Sequence, residues 1–154
     1  MFIRERRFIH YQFALFKNTR LSYPDVLTTL SSLADQGIPL FVASNGRSRY
    51  LAAIRAAFWL ERYFIDFYSL DRFSLSSKSA LVKQLLNDYQ IESAVMVGDR
   101  CSDIQAAKEN GLWSIGCRFG FANDEELRGA DVIIRQFSEI GSVLRGVEKR
   151  VSEV

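Results

Sequence analysis

Val95-Met96-Val97-Gly98-Asp99-Arg100-Cys101-Ser102-Asp103 decides how this chain is read. Three apolar residues run into a glycine, an acid follows at once, and a second acid comes four positions later. An unbroken apolar run of this kind is the mark of a strand buried on both faces, as in a parallel sheet. Gly98 lets the backbone turn sharply where the strand ends. Residues 102–110 then read as a helix closed by Gly111. Residues four apart share a helical face, so the carboxylates of Asp99 and Asp103 are expected to enter one crevice at the carboxyl end of the sheet. Two hard oxygen ligands there suit Mg2+. Each acid alone has a plainer reading, Asp99 as a helix cap and Asp103 as a solvated surface acid. The pair directly behind an apolar strand favours the metal.

Outward from this stretch, strands alternate with helices. Upstream, a helix begins near Tyr23-Pro24-Asp25-Val26, with Leu27, Leu30 and Leu33 on one face and Gly37 at its end. Residues 38–43 form a strand closed by Ser44-Asn45-Gly46, a helix spans 48–60, and a shorter strand spans 64–68. A polar loop from Ser74 leads to a helix starting at Lys78, with Leu81, Val82, Leu85 and Leu86 inward. Downstream come a strand at 113–117, a short helix start at 123–126, a strand at 131–134 and a last helix from Ser138. Residues 1–17 fit neither period cleanly and are expected to be helical. The aromatic side chains of Phe58, Trp59, Phe64, Phe67, Tyr68 and Phe73 are expected to pack together. The whole pattern predicts an α/β fold with a parallel sheet and right-handed crossovers.

Composition narrows the function classes. The 154 residues are 48% hydrophobic and 25% charged, an ordinary globular balance with room for a core. A net charge of +2 argues neither for nucleic acid nor for a membrane surface as partner. No apolar run reaches transmembrane length, and the basic start Met1-Phe2-Ile3-Arg4 leads into no long apolar segment of a signal peptide. Cys101 and Cys117 make no disulfide framework; reduced thiols and a cytoplasmic location are expected.

Two more residues stand where chemistry is done. Ser44 ends an apolar strand and precedes Asn45-Gly46, so a hydroxyl and backbone N–H groups are offered together as a phosphate cradle; the plainer alternative is helix capping. Lys78 opens a helix, where a cation opposes the dipole. Reaching a phosphate or a carboxylate nucleophile would explain that placement, and a chance surface position is the alternative. Arg47 and Arg49 are expected to face solvent, His10 is left outside the catalytic set, and Cys101 reads as a spacing residue rather than an activated thiolate.

Taken in order, Ser44, Lys78 and Asp99/Asp103 resemble the haloacid dehalogenase superfamily of hydrolases, in particular its phosphoglycolate-phosphatase-like branch. Leu40-Phe41-Val42-Ala43-Ser44-Asn45 resembles the family's second motif, Ser77-Lys78 the third, and Gly98-Asp99 through Asp103 the fourth, GDxxxD. Ala106-Ala107-Lys108-Glu109-Asn110-Gly111, Ser114-Ile115-Gly116 and Gly129-Ala130-Asp131 carry the same branch resemblance, which covers about residues 21–140. A receiver domain would place its acid pair first in the chain, and a dinucleotide-binding domain would carry GxGxxG, which is absent.

The resemblance implies a three-layer Rossmann-like sheet and a Mg2+-dependent phosphatase acting on a small phosphorylated metabolite. Ser44 and Asn45 would hold phosphate, Lys78 would act in catalysis and on the substrate, Asp99 would ligate Mg2+, and Asp103 would support that site. The family's first motif, DxDx(T/V), bears the nucleophilic aspartate on the first strand, and no DxD occurs in this sequence. Residues 1–20 instead resemble the tail of a helical cap, which leaves 21–154 as the α/β core without its first strand. The expected alternative is therefore a non-catalytic, truncated domain that binds metal and phosphate or a partner. Loss of the strand between those at 38–43 and 95–97 would leave two buried edges. Direct pairing, self-association through the edges, or insertion of a segment from residues 1–17 would satisfy them.

Overall fold

Leu40–Ser44 and Val95–Gly98 are buried at every position, which only a strand covered on both faces achieves. The computed structural model describes residues 9–11, 25–119 and 122–152 and sets both strands inside one sheet of six. In chain order the strands are β1 (Ile9–Tyr11), β2 (Leu40–Ser44), β3 (Asp66–Ser69), β4 (Val95–Gly98), β5 (Trp113–Cys117) and β6 (Val132–Ile134). Their spatial order is β3-β2-β1-β4-β5-β6, and each neighbouring pair is parallel. The chain builds outward one way through β1, β2 and β3, then the other way through β4, β5 and β6. The reversal falls between β1 and β4, where open α/β sheets of this order leave a crevice at the carboxyl ends of the strands.

Alternation along β2 and β4 sorts their side chains into two cores. Leu40, Val42, Val95 and Val97 face one layer with Ile115, packed under helices α1 (Val26–Asp35), α2 (Ser48–Phe58) and the later α6 (Ile140–Ser152). Phe41, Ala43 and Met96 face the other, under α4 (Lys78–Asp88) and α5 (Cys101–Glu109). A four-residue helix, α3 (Leu70–Phe73), joins β3 to the loop before α4. The expected three-layer α/β architecture is present. No helix among the described residues is long and apolar enough to cross a membrane.

Three local expectations are corrected. A strand at Ile9–Tyr11 stands where a helix over 1–17 was expected, pairing with β2 through Ile9 and His10 and with β4 through Ile9, His10 and Tyr11. The remainder of the segment expected as a cap remnant lies outside the described residues. The reason for the strand is energetic. The facing edges of β2 and β4 are wholly buried, and unpaired N–H and C=O groups there cost far more than ordering three residues. Of the three ways of satisfying these edges, insertion of a segment from residues 1–17 is the one present. The short helix at 123–126 is a turn instead, because the Asn123 side-chain oxygen accepts the Glu126 N–H at 2.9 Å. Trp59 ends α2 with a left-handed φ of 53° and is 65% exposed, with the Arg62 guanidinium 5.7 Å from its ring rather than a packed aromatic neighbour. The aromatic packing holds elsewhere, as in the stacked rings of Tyr68 and Phe73 at 4.5 Å.

Candidate active site

At the carboxyl end of β4 the backbone leaves the sheet through Asp99 and enters α5 after Arg100. The Arg100 N–H donates to Asp103 Oδ2 at 3.1 Å, and the Asp103 N–H donates to the Arg100 carbonyl at 2.9 Å. This reciprocal cap starts α5 and fixes Asp103 under the turn. Gly98 makes the approach feasible, since a Cβ there would collide with the Asp103 carboxylate.

Asp103 has no exposed surface, and Lys78 Nζ donates to its Oδ1 at 2.6 Å. Both side chains of this ion pair are out of water, at 1% and 0% exposure. Lys78 arrives there as the first residue of α4, whose cap is the Ser77 hydroxyl accepting the Ala80 N–H at 3.2 Å. The ammonium therefore points beneath the α5 turn instead of toward solvent. Asp103 serves this pair and the helix cap, a tighter engagement than the supporting metal role expected of it.

Asp99 is different. It is 5% exposed, and its Oδ1 is buried without a hydrogen-bond partner among the described residues. Burial first, and the Asp103 charge second, push its carboxyl up to about 6, against smaller opposing effects of Arg100 and Lys78. An orphaned carboxylate oxygen held beside a second carboxylate suits a cation that supplies the missing positive charge. Among the described residues no group of three or more His, Cys, Asp or Glu is arranged to hold a metal. The Asp99 carboxylate is a hard oxygen donor of the kind Mg2+ takes alongside its own waters.

Ser44 ends β2 at 6% exposure, and its Oγ accepts the Gly46 N–H at 3.0 Å. A hydroxyl that accepts in this way keeps its own proton to donate. Gly46 permits the tight turn, since a Cβ there would lie 3.1 Å from Ser44 Oγ. Asn45 is exposed at the tip. The strand order places β1 between β2 and β4, so Ser44 and Asp99 flank the crevice from strands roughly 10 Å apart. A hydrogen-bonded ion pair joins Lys78 to Asp103, and Asp99 feels both through their charges; Ser44 and Asn45 share the sheet edge without touching any of the three in a described hydrogen bond.

The cysteines behave as expected of bystanders. Cys101 is exposed, and hydrogen bonding to Glu126 pushes its thiol up. Burial, with Asp99 and Asp103 nearby, pushes the Cys117 thiol well up. Neither is a ready thiolate. Arg47 and Arg49 are exposed, as expected. Sequence reasoning passed over Glu126, whose carboxylate accepts the Cys101 N–H at 2.6 Å and pairs with Arg100 at 3.2 Å. It also passed over Asp71, just past the end of β3, whose carboxylate holds the first residue of α2. A carboxylate placed immediately beyond a strand on the ligand-binding edge is the signal that points to the latter.

Residues 3–117 match the family model described as haloacid dehalogenase-like hydrolase. The chain is 30% identical over 112 residues to the phosphoglycolate phosphatase of Vibrio cholerae, covering 71% of this chain and 50% of that protein. It is 29% identical over 155 aligned positions to the phosphoglycolate phosphatase of Agrobacterium fabrum, covering 97% and 64%. Among solved structures, that of a predicted phosphatase from Clostridium acetobutylicum superposes with a TM-score of 0.73 at 34% identity, covering 80% of this chain and 60% of that one. The chain thus spans about half to two thirds of the length of these relatives.

Proposed function

We propose, from the premise that this chain belongs to the haloacid dehalogenase-like hydrolase family, that it holds the phosphate- and Mg2+-binding part of a phosphoglycolate-phosphatase-like site for a small phosphorylated metabolite. The observation that carries the reading is the buried Oδ1 of Asp99 at the switch point of the sheet, which has no hydrogen-bond partner among the described residues. Asp99 would be the principal protein ligand of Mg2+, with Asp103 behind it. The bound ion would offset the charge of the phosphate. Ser44 would donate its hydroxyl proton to a phosphate oxygen, and the exposed Asn45 amide would bind beside it. Lys78, clamped to Asp103, would place positive potential under the site and hold the α5 turn in shape. Titration calorimetry with MgCl2 tests the assignment. The wild type should bind weakly, because one carboxylate carries most of the contact, and Asp99→Asn should lose that binding. Equal binding by the two proteins would remove Asp99 from the role.

Hydrolysis in this family uses a carboxylate nucleophile on the first strand. The described strand in that place reads Ile9-His10-Tyr11 and contains no carboxylate. This favours a second reading, in which these 154 residues bind phosphate and metal without turning the ester over.

A further inference from the structure

We infer that Asp71 is the positioning residue of the Ser44–Ser48 loop, holding it in the shape that accepts phosphate. The inference rests on the phosphate-binding reading of that loop. Helix α2 begins at Ser48 behind Arg47, which offers no capping oxygen. Asp71 supplies the cap from a different element. Both of its carboxylate oxygens accept the Ser48 N–H at 3.0 Å, and Oδ1 also accepts the Ser48 hydroxyl at 2.8 Å. The Ser69 hydroxyl lies 2.7 Å from that of Ser48. Ser69 is 1% exposed and stands directly beside Ser44 in the β2–β3 register. Hydrogen bonds from Ser69 and from the Ser48 N–H and hydroxyl hold the Asp71 carboxyl down to about 2, so it is charged throughout the ordinary pH range.

The loop is consequently tied at both ends. Ser44 Oγ fixes the Gly46 N–H at one end, and Asp71 fixes Ser48 at the other. Between these ties Asn45 and Arg47 are exposed, and an exposed loop tip of this kind opens readily unless anchored. A phosphate cradle of backbone N–H groups works only when those groups already point at the anion.

The test uses the 154-residue protein with Mg2+ present and inorganic phosphate as the probe, followed by calorimetry, with amide hydrogen exchange read at residues 45–48. Asp71→Ala should weaken phosphate binding about fivefold, the scale of an exposed charge-assisted contact, and speed exchange at Gly46 and Ser48. Its binding of Mg2+ should be unchanged. Asp71→Asn keeps one acceptor oxygen and should retain most of the phosphate affinity. A merely structural role would lower Mg2+ and phosphate binding together, and that result would overturn the inference. So would equal phosphate binding by wild type and Asp71→Ala. If Asp71→Ala does not fold, Ser48→Ala, which cuts the hydroxyl bridge and spares the backbone contact, should weaken phosphate binding in the same direction; wild-type affinity in that variant would overturn the inference. Failure of the wild type to bind phosphate at all would instead overturn the reading of the site, and this inference with it.

Discussion

Asp99 carries a cost in the metal-free protein. Its folded carboxyl takes up a proton at about 6, against an ordinary value of 3.8. Between those two pH values the folded chain binds more protons than the unfolded chain, so this residue's contribution to stability falls as pH rises through the window. Above it the penalty is complete, on the order of 3 kcal/mol. Asp99→Asn should therefore stabilise the metal-free protein at about pH 8 and make little difference at about pH 4. Urea unfolding at the two pH values checks this, and an equal effect at both would contradict the burial argument. Lys78 and Asp103 present the opposite case, because their buried charges face each other at 2.6 Å. Lys78→Met should cost about 3–5 kcal/mol by removing the cation that faces the buried Asp103 carboxylate, and adding Asp103→Leu should recover only part of the loss, because it also removes the acceptor of the Arg100 N–H. Thermal unfolding of the single and double variants measures both.

The β4–α5 junction concentrates these effects in one turn. Gly98→Ala places a methyl group where the Asp103 carboxylate lies. The variant should lose the reciprocal cap at Arg100, loosen the Lys78 pair and bind Mg2+ more weakly than wild type, as calorimetry and melting would record. This element was legible from the sequence because an apolar run, a glycine and two acids impose the geometry locally. The strand ends at Ser44 and Asp99 and the helix start at Lys78 were legible for the same reason. What the sequence did not disclose depends on contacts between distant segments. Ile9-His10-Tyr11 has no period of its own and becomes a strand because β2 and β4 present buried edges to it. Asp71 and Glu126 cap helices that begin more than twenty residues earlier in the chain. The destination of the Lys78 ammonium, Asp103 and not open solvent, likewise follows from the packing of α4 against α5.

At the scale of the molecule, a doubly wound sheet gathers the ends of β2 and β4 around the position where its strand order reverses. Under the proposed function that crevice would take phosphate at Ser44 and Asn45 and a cation at Asp99, whose Oδ1 is buried with no hydrogen-bond partner among the described residues. There is no DxD in the 154 residues, and the thiols of Cys101 and Cys117 are pushed away from the reactive anion. The most direct measurement is the turnover of a generic aryl phosphate by the purified 154-residue protein with Mg2+, beside Asp99→Ala. Turnover should lie orders of magnitude below the usual enzyme range of about 1–10³ s⁻¹, and Asp99→Ala should change it little. Robust hydrolysis that disappears in Asp99→Ala would contradict the account.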